Sequence, residues 1–183
     1  GWEMPASMTQ FFNPFFIILF GSIFSVMWVK LSKIGKNPSI PLKFCFGIVQ
    51  LALGFLLTQV GFQFVNEAYQ VPILTLVFLY MLHTTGELFL SPIGLSMVTK
   101  LSPKSMAGTA MGAWFLSFAI ANYVGGKIAA LTGGHGGGEV TSAEDGLLQY
   151  LDTFATIGYV LLAIAALIFV LNKPIQKLMH GVK

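Results

Sequence analysis

The sequence predicts an all-α fold, a polytopic transmembrane helical bundle of five spans, and three observations predict it. Only 9% of the 183 residues are charged while 55% are hydrophobic, whereas a water-soluble domain carries about 25% charged residues. The apolar residues fall into five stretches near the length of about 20 residues that a helix needs to cross a bilayer core. The charges gather in the connections between those stretches, with few exceptions. Barrel strands are excluded because the runs are too long and lack a two-residue alternation.

The first span, 11–29, opens on Asn13-Pro14 and ends near Trp28, which suits an aromatic anchor at the interface. The second, 42–62, contains Cys45, the one cysteine. A single thiol rules out an internal disulfide framework or a cysteine-based zinc site, and Cys45 is expected to pack as a small hydrophobe. The third, 71–99, is long enough that it must tilt, bend or project from the bilayer. Pro92 supplies a bend there, since proline removes a backbone donor and clashes with the preceding turn. The turn Ser102-Pro103-Lys104-Ser105 leads into the fourth span, 107–131. Gly108 and Gly112 in it form a GxxxG, read as close packing between the third and fourth spans. Trp114 lies too deep for an interfacial anchor, and both a pocket wall and core packing stay open for it. The glycine-rich run Thr132 to Gly138 lacks the Lys-Ser/Thr ending of a phosphate loop and is expected to be a flexible outer loop. The fifth span is 150–171.

All ten basic residues are lysines, and nine of them follow the first, third and fifth spans. The acids Glu3, Glu67, Glu139, Glu144, Asp145 and Asp152 fall on the other side, with Lys127. Lysine bias places the first side in the cytoplasm, so the N-terminus is expected outside and the C-terminus inside. Lysines dispersed at segment ends point to a membrane surface rather than nucleic acid. The chain opens on Gly1 without a start methionine or a signal-peptide pattern, and it reads as a fragment.

Glu87 lies near the middle of the third span. A carboxylate in hydrocarbon is costly and normally faces a cavity or a charged partner. His83, Glu87 and Ser91 stand at successive i, i+4 positions with Thr84 beside them, which predicts one polar stripe. The favoured reading is a site lining an aqueous pathway, where Glu87 binds a cation, takes a proton, or does both. The other is a hydrogen-bonded Glu gluing helices together. No HExxH is present to pair His83 in a metal site, and no motif supplies Ser91 with a base or an oxyanion hole. Asn13 is open between a cap at the helix start and a ligand role, since an amide at depth must find a partner.

The stretch Gly86-Glu87-Leu88-Phe89-Leu90-Ser91-Pro92-Ile93-Gly94-Leu95, then Ser102-Pro103 through Met106-Ala107-Gly108, then Met111-Gly112-Ala113-Trp114-Phe115-Leu116, carries a resemblance. So do Met4-Pro5-Ala6-Ser7 and Gln10-Phe11-Phe12-Asn13-Pro14 through Trp28. The chain resembles the proton-coupled oligopeptide transporter family of the major facilitator superfamily, with its eighth to twelfth helices matching the five spans. Gly21-Ser22 stands where many members have a proline. The resemblance implies most of the C-terminal six-helix half of that fold. It also implies alternating access, symport of di- and tripeptides with protons, no cofactor, and no enzyme activity. By resemblance, Glu87 and Asn13 contact the peptide amino terminus, Ser91 is a pocket hydroxyl, and Trp114 and Phe115 are pocket walls. The expected partners are peptide, protons, membrane lipid and an N-terminal bundle of the same polypeptide, with a basic residue of that bundle paired to Glu87. The expected setting is a bacterial inner membrane. The rivals are another facilitator carrying amino acids, nitrate or a drug-like substrate, and a non-transporting membrane subunit or membrane-embedded hydrolase.

Overall fold

The computed structural model describes residues 6–132 and 142–180. A single helical turn, α1 (Ala6–Thr9), precedes five long helices: α2 (Phe12–Lys33), α3 (Ile40–Phe62), α4 (Ile73–Leu101), α5 (Ala107–Thr132) and α6 (Ala143–Leu178). No strand occurs among the described residues. The glycine-rich run after Thr132 lies outside them.

Several boundaries have a local cause. The end of α2 carries Lys30 and Lys33, which suit the negative end of a helix. Gly35, at φ +69°, then lets the Lys36 amide return to the Leu31 carbonyl at 3.0 Å, a left-handed stop that favours glycine. Ser39 starts α3 by accepting from the Leu42 amide at 3.3 Å, with proline in the first turn. Helix α4 follows Pro72 and runs through Pro92, and a 3-10 turn over Lys104–Met106 joins it to α5. Ser142 caps α6 by accepting from the Asp145 amide at 3.1 Å. Helix α6 exceeds the apolar stretch 150–171 at both ends, reaching 36 residues, or about 54 Å at about 1.5 Å per residue.

Helices α2, α3, α4 and α6 are long and apolar enough to cross a membrane. The fourth expected span is a helix too, α5. The protein is a multi-pass membrane protein with α4 packed between α2 and α3, and α3 between α4 and α6.

Small residues set the closest approach. A Cβ added to Gly86 would stand 2.8 Å from the Gly47 carbonyl oxygen, so the α3 and α4 backbones nearly touch. Seven residues along α3, Gly54 leaves room for the His83 ring. The expected GxxxG contact is not the one used: nothing lies within 4 Å of a Cβ at Gly108 or Gly112. The close approach comes instead from glycines on α3 and α4 themselves. On the other side of α3, Gln59 donates to the Leu151 carbonyl at 2.8 Å and Cys45 donates to the Ala165 carbonyl at 3.3 Å. Cys45 is buried, as a small hydrophobe should be.

Candidate functional site: the polar seam of α4

Each residue turns an α-helix by about 100°, so Tyr80, Thr84, Glu87, Ser91 and Gly94 of α4 lie along one seam. Helix α2 leans on it. The Phe12 ring lies 6.0 Å from that of Tyr80. Asn13, half-buried, donates from Nδ2 to Thr84 Oγ1 at 3.2 Å and to Glu87 Oε2 at 3.4 Å. Thr84 is 0% exposed, while Glu87 is exposed. The amide thus ties a buried hydroxyl to an open carboxylate. Asn13 is not a cap: Phe11 holds the N-cap position without a side-chain bond. Pro14 falls in the first turn, where no intrahelical amide donor is required, so α2 can begin here and turn Asn13 towards α4.

Ser91 stands one turn beyond Glu87, half-buried. The Trp114 indole fills the space above Gly94, with Cζ2 2.6 Å from where a Cβ would stand, which fixes α5 against the same seam. Phe118 meets Trp114 edge-on at 5.9 Å. Phe115 is 59% exposed, with its ring beside Phe118 of its own helix. The structure therefore joins Asn13 to Glu87 directly and lines up Ser91 and Trp114 with them.

His83 departs from the expected stripe. It lies about 40° from Glu87 towards α3, against Gly54 and with its ring 4.6 Å from that of Phe55. Its Nε2 is buried without a hydrogen-bond partner. Spacing alone placed His83 with Glu87, but the cavity over Gly54 claims it. Thr84, noted only as a neighbour, is the buried anchor of the site. The alternating three- and four-residue spacing from Tyr80 to Gly94 was the signal for it. Among the described residues no cation forms an ion pair with Glu87, and no three His, Cys, Asp or Glu side chains gather as a metal site.

The family model described as the POT family matches residues 1–138. "Uncharacterized transporter YclF" of Bacillus subtilis (strain 168) is 34% identical over all of this chain and 34% of its own length. "Dipeptide and tripeptide permease B" of Xenorhabdus bovienii (strain SS-2004) is 33% identical over 98% of this chain and 36% of its own. The chain spans about a third of the length of these relatives. Among solved structures, peptide transporter POT in complex with sulfate superposes with a TM-score of 0.76 at 32% identity, over 93% of this chain and 31% of that one. A POT family transporter in complex with thioalcohol conjugated peptide gives 0.73 at 30% identity, over 90% and 30%. Sequence and backbone agree across the helices that build the seam, and this chain belongs to the POT family.

Proposed function

We propose that the chain is the C-terminal part of a proton-coupled symporter that imports di- and tripeptides by alternating access, with Glu87 binding the peptide amino terminus. The observation that carries this reading is the exposed Glu87 carboxylate held by the Asn13 amide. An ionised carboxylate only accepts hydrogen bonds, so the amide must present its NH2 to Glu87 and Thr84, which leaves Asn13 Oδ1 facing elsewhere as an acceptor. A peptide ammonium brings three donors and a positive charge to these acceptors. When Glu87 instead takes a proton it can donate, and its bond to Asn13 loses its charge assistance. One carboxylate can thus hold a substrate ammonium or a proton but not both at once, so symport needs a second proton-carrying group in the part of the transporter beyond this chain. Relatives named as dipeptide and tripeptide permeases and a peptide-bound POT family structure support peptide as the substrate.

Ser91 and Trp114 extend the site along α4, and Phe115 is a wall against the part of the transporter beyond this chain. That part supplies the N-terminal bundle and the basic partner of Glu87. The protein sits in a bacterial inner membrane with its lysine-rich side in the cytoplasm, by the lysine bias of its connections.

The experiment is proton-driven dipeptide uptake by the full-length transporter in liposomes. Glu87→Gln is expected to lower uptake tenfold or more, on the order of a lost charged hydrogen bond. Ser91→Ala should cost about fivefold. Uptake by Glu87→Gln at the wild-type rate would sink the assignment. A dipeptide with an acetylated amino terminus should fail to compete; full competition by it would favour a facilitator that does not read an ammonium.

A further inference from the structure

Tyr80, the first residue of the α4 seam, has no task in the proposed site. It precedes Glu87 by seven residues, two turns of helix, so the two side chains leave α4 within about 20° of each other. The ring is pinned from α2. Phe12 lies 6.0 Å away, and Phe12 in turn stacks at 6.4 Å on Phe16, which is 6% exposed. Tyr80 is half-buried, yet among the described residues its hydroxyl is neither bonded nor shut in. A phenol held among apolar groups usually finds a hydrogen-bond partner. Helix α2 therefore fixes the ring and leaves its one polar atom open, on the same face of α4 as the exposed Glu87 carboxylate.

Distance decides what the partner can be. Seven residues rise about 10.5 Å along a helix axis, and both side chains lean the same way, towards the start of the helix. The hydroxyl thus stands roughly 10 Å from the carboxylate along α4. An extended peptide spans at most about 3.3–3.6 Å per residue, so about 7 Å for two residues and about 10 Å for three. A dipeptide held by its ammonium at Glu87 falls short of Tyr80, and a tripeptide reaches it.

We propose that Tyr80 reads peptide length: its hydroxyl donates to the carboxylate of a tripeptide whose ammonium sits at Glu87, and no dipeptide reaches it. This rests on the reading of Glu87 as the ammonium site and deepens it. A phenol can donate to an anion, and a hydrogen bond to a charged acceptor is stronger than one between neutral groups. The peptide carboxylate also gains by standing far from Glu87, since like charges repel. A bond from Tyr80 to the N-terminal bundle is the competing assignment, and it would serve peptides of both lengths alike.

The experiment is uptake of dialanine and of trialanine by the full-length transporter in liposomes, with KM and maximal rate measured for each. Tyr80→Phe keeps the ring against Phe12 and removes only the hydroxyl. KM for trialanine is expected to rise about tenfold, the effect of one hydrogen bond to a charged group. KM for dialanine should stay within about twofold, and the melting temperature should not move. A rise shared equally by both peptides overturns the proposal in favour of a contact with the N-terminal bundle. An unchanged KM for trialanine overturns it outright. If wild type takes up neither peptide, the transport reading falls and the role of Tyr80 with it. If wild type takes up both and Tyr80→Phe keeps the ratio of their KM values, only the role of Tyr80 falls.

Discussion

Asn13 holds the candidate site together because one amide nitrogen serves two acceptors on another helix. Replacing it with leucine keeps the bulk and removes both bonds. Thr84, fully buried, then loses its long-range partner, and leaving a buried polar group unsatisfied costs about 1–3 kcal/mol. Asn13→Leu is therefore expected to lower the melting temperature of the full-length transporter and to raise its KM for dipeptide about tenfold. Thr84→Val should reproduce the stability loss with a smaller change in KM, since Glu87 keeps its bond; equal effects on KM from both variants would contradict this division. Glu87 was legible from the sequence because a charge inside an apolar run stands out. The role of Asn13 was not, because a cap and a cross-helix ligand share the same local pattern. Its partners lie 71 and 74 residues away, a separation that no helical period encodes. His83 shows the converse, since its spacing fits the stripe and its actual neighbour is a glycine on α3.

Between elements, the α3–α4 contact depends on Gly47 and Gly86, each of which faces the other's backbone carbonyl. Backbone cannot swing aside as a side chain can, so Gly86→Ala must push the helices apart, an overpacking cost of about 1–3 kcal/mol. Gly112→Ala meets open space and should melt at or slightly above the wild-type temperature, because alanine is the better helix former. A larger loss in Gly112→Ala than in Gly86→Ala would overturn this account of the packing. A second contact joins the connector before α4 to α6, where the exposed Tyr69 hydroxyl donates to Glu144 Oε2 at 2.9 Å. That hydrogen bond, with the repulsion of the Glu144 charge, raises the Tyr69 pKa above the ordinary value. The contact is thus complete below the usual tyrosine pKa of about 10 and is lost as pH rises through the raised value. Phenolate absorbance should show Tyr69 ionising at lower pH in Glu144→Gln than in wild type. The long helices were legible from the length of the apolar runs, but their ends were not. Hydropathy measures what lipid tolerates, whereas Ser142 begins α6 in polar surroundings by capping it.

Across the whole molecule the charges sort by end. Ser39 at the start of α3 donates to Asn172 of α6 at 2.7 Å, which brings the connector bearing Lys36 beside the segment bearing Lys173 and Lys177. At the opposite end Gln59 reaches the Leu151 carbonyl and Tyr69 reaches Glu144, beside Glu67 and Asp152. The two-sided arrangement read from lysine positions therefore coincides with two physical ends of the bundle, because successive antiparallel helices bring alternate connections together. The lysine bias leads us to propose that the lysine-rich end faces the cytoplasm, and this can be measured on the full-length protein. Cys45 is buried and its Sγ is engaged with the Ala165 carbonyl, so it should contribute little background to thiol labelling. Glu67, Lys36 and Lys177 are exposed, and each can be replaced by cysteine without disturbing a core contact. In intact cells a membrane-impermeant maleimide should label Glu67→Cys and spare Lys36→Cys and Lys177→Cys. In inside-out vesicles the pattern should reverse. Labelling of Lys36→Cys and Lys177→Cys from outside would invert the orientation while leaving the two-ended bundle intact. Labelling of only one of that pair would contradict the bundle itself, since Ser39 and Asn172 hold their segments at the same end.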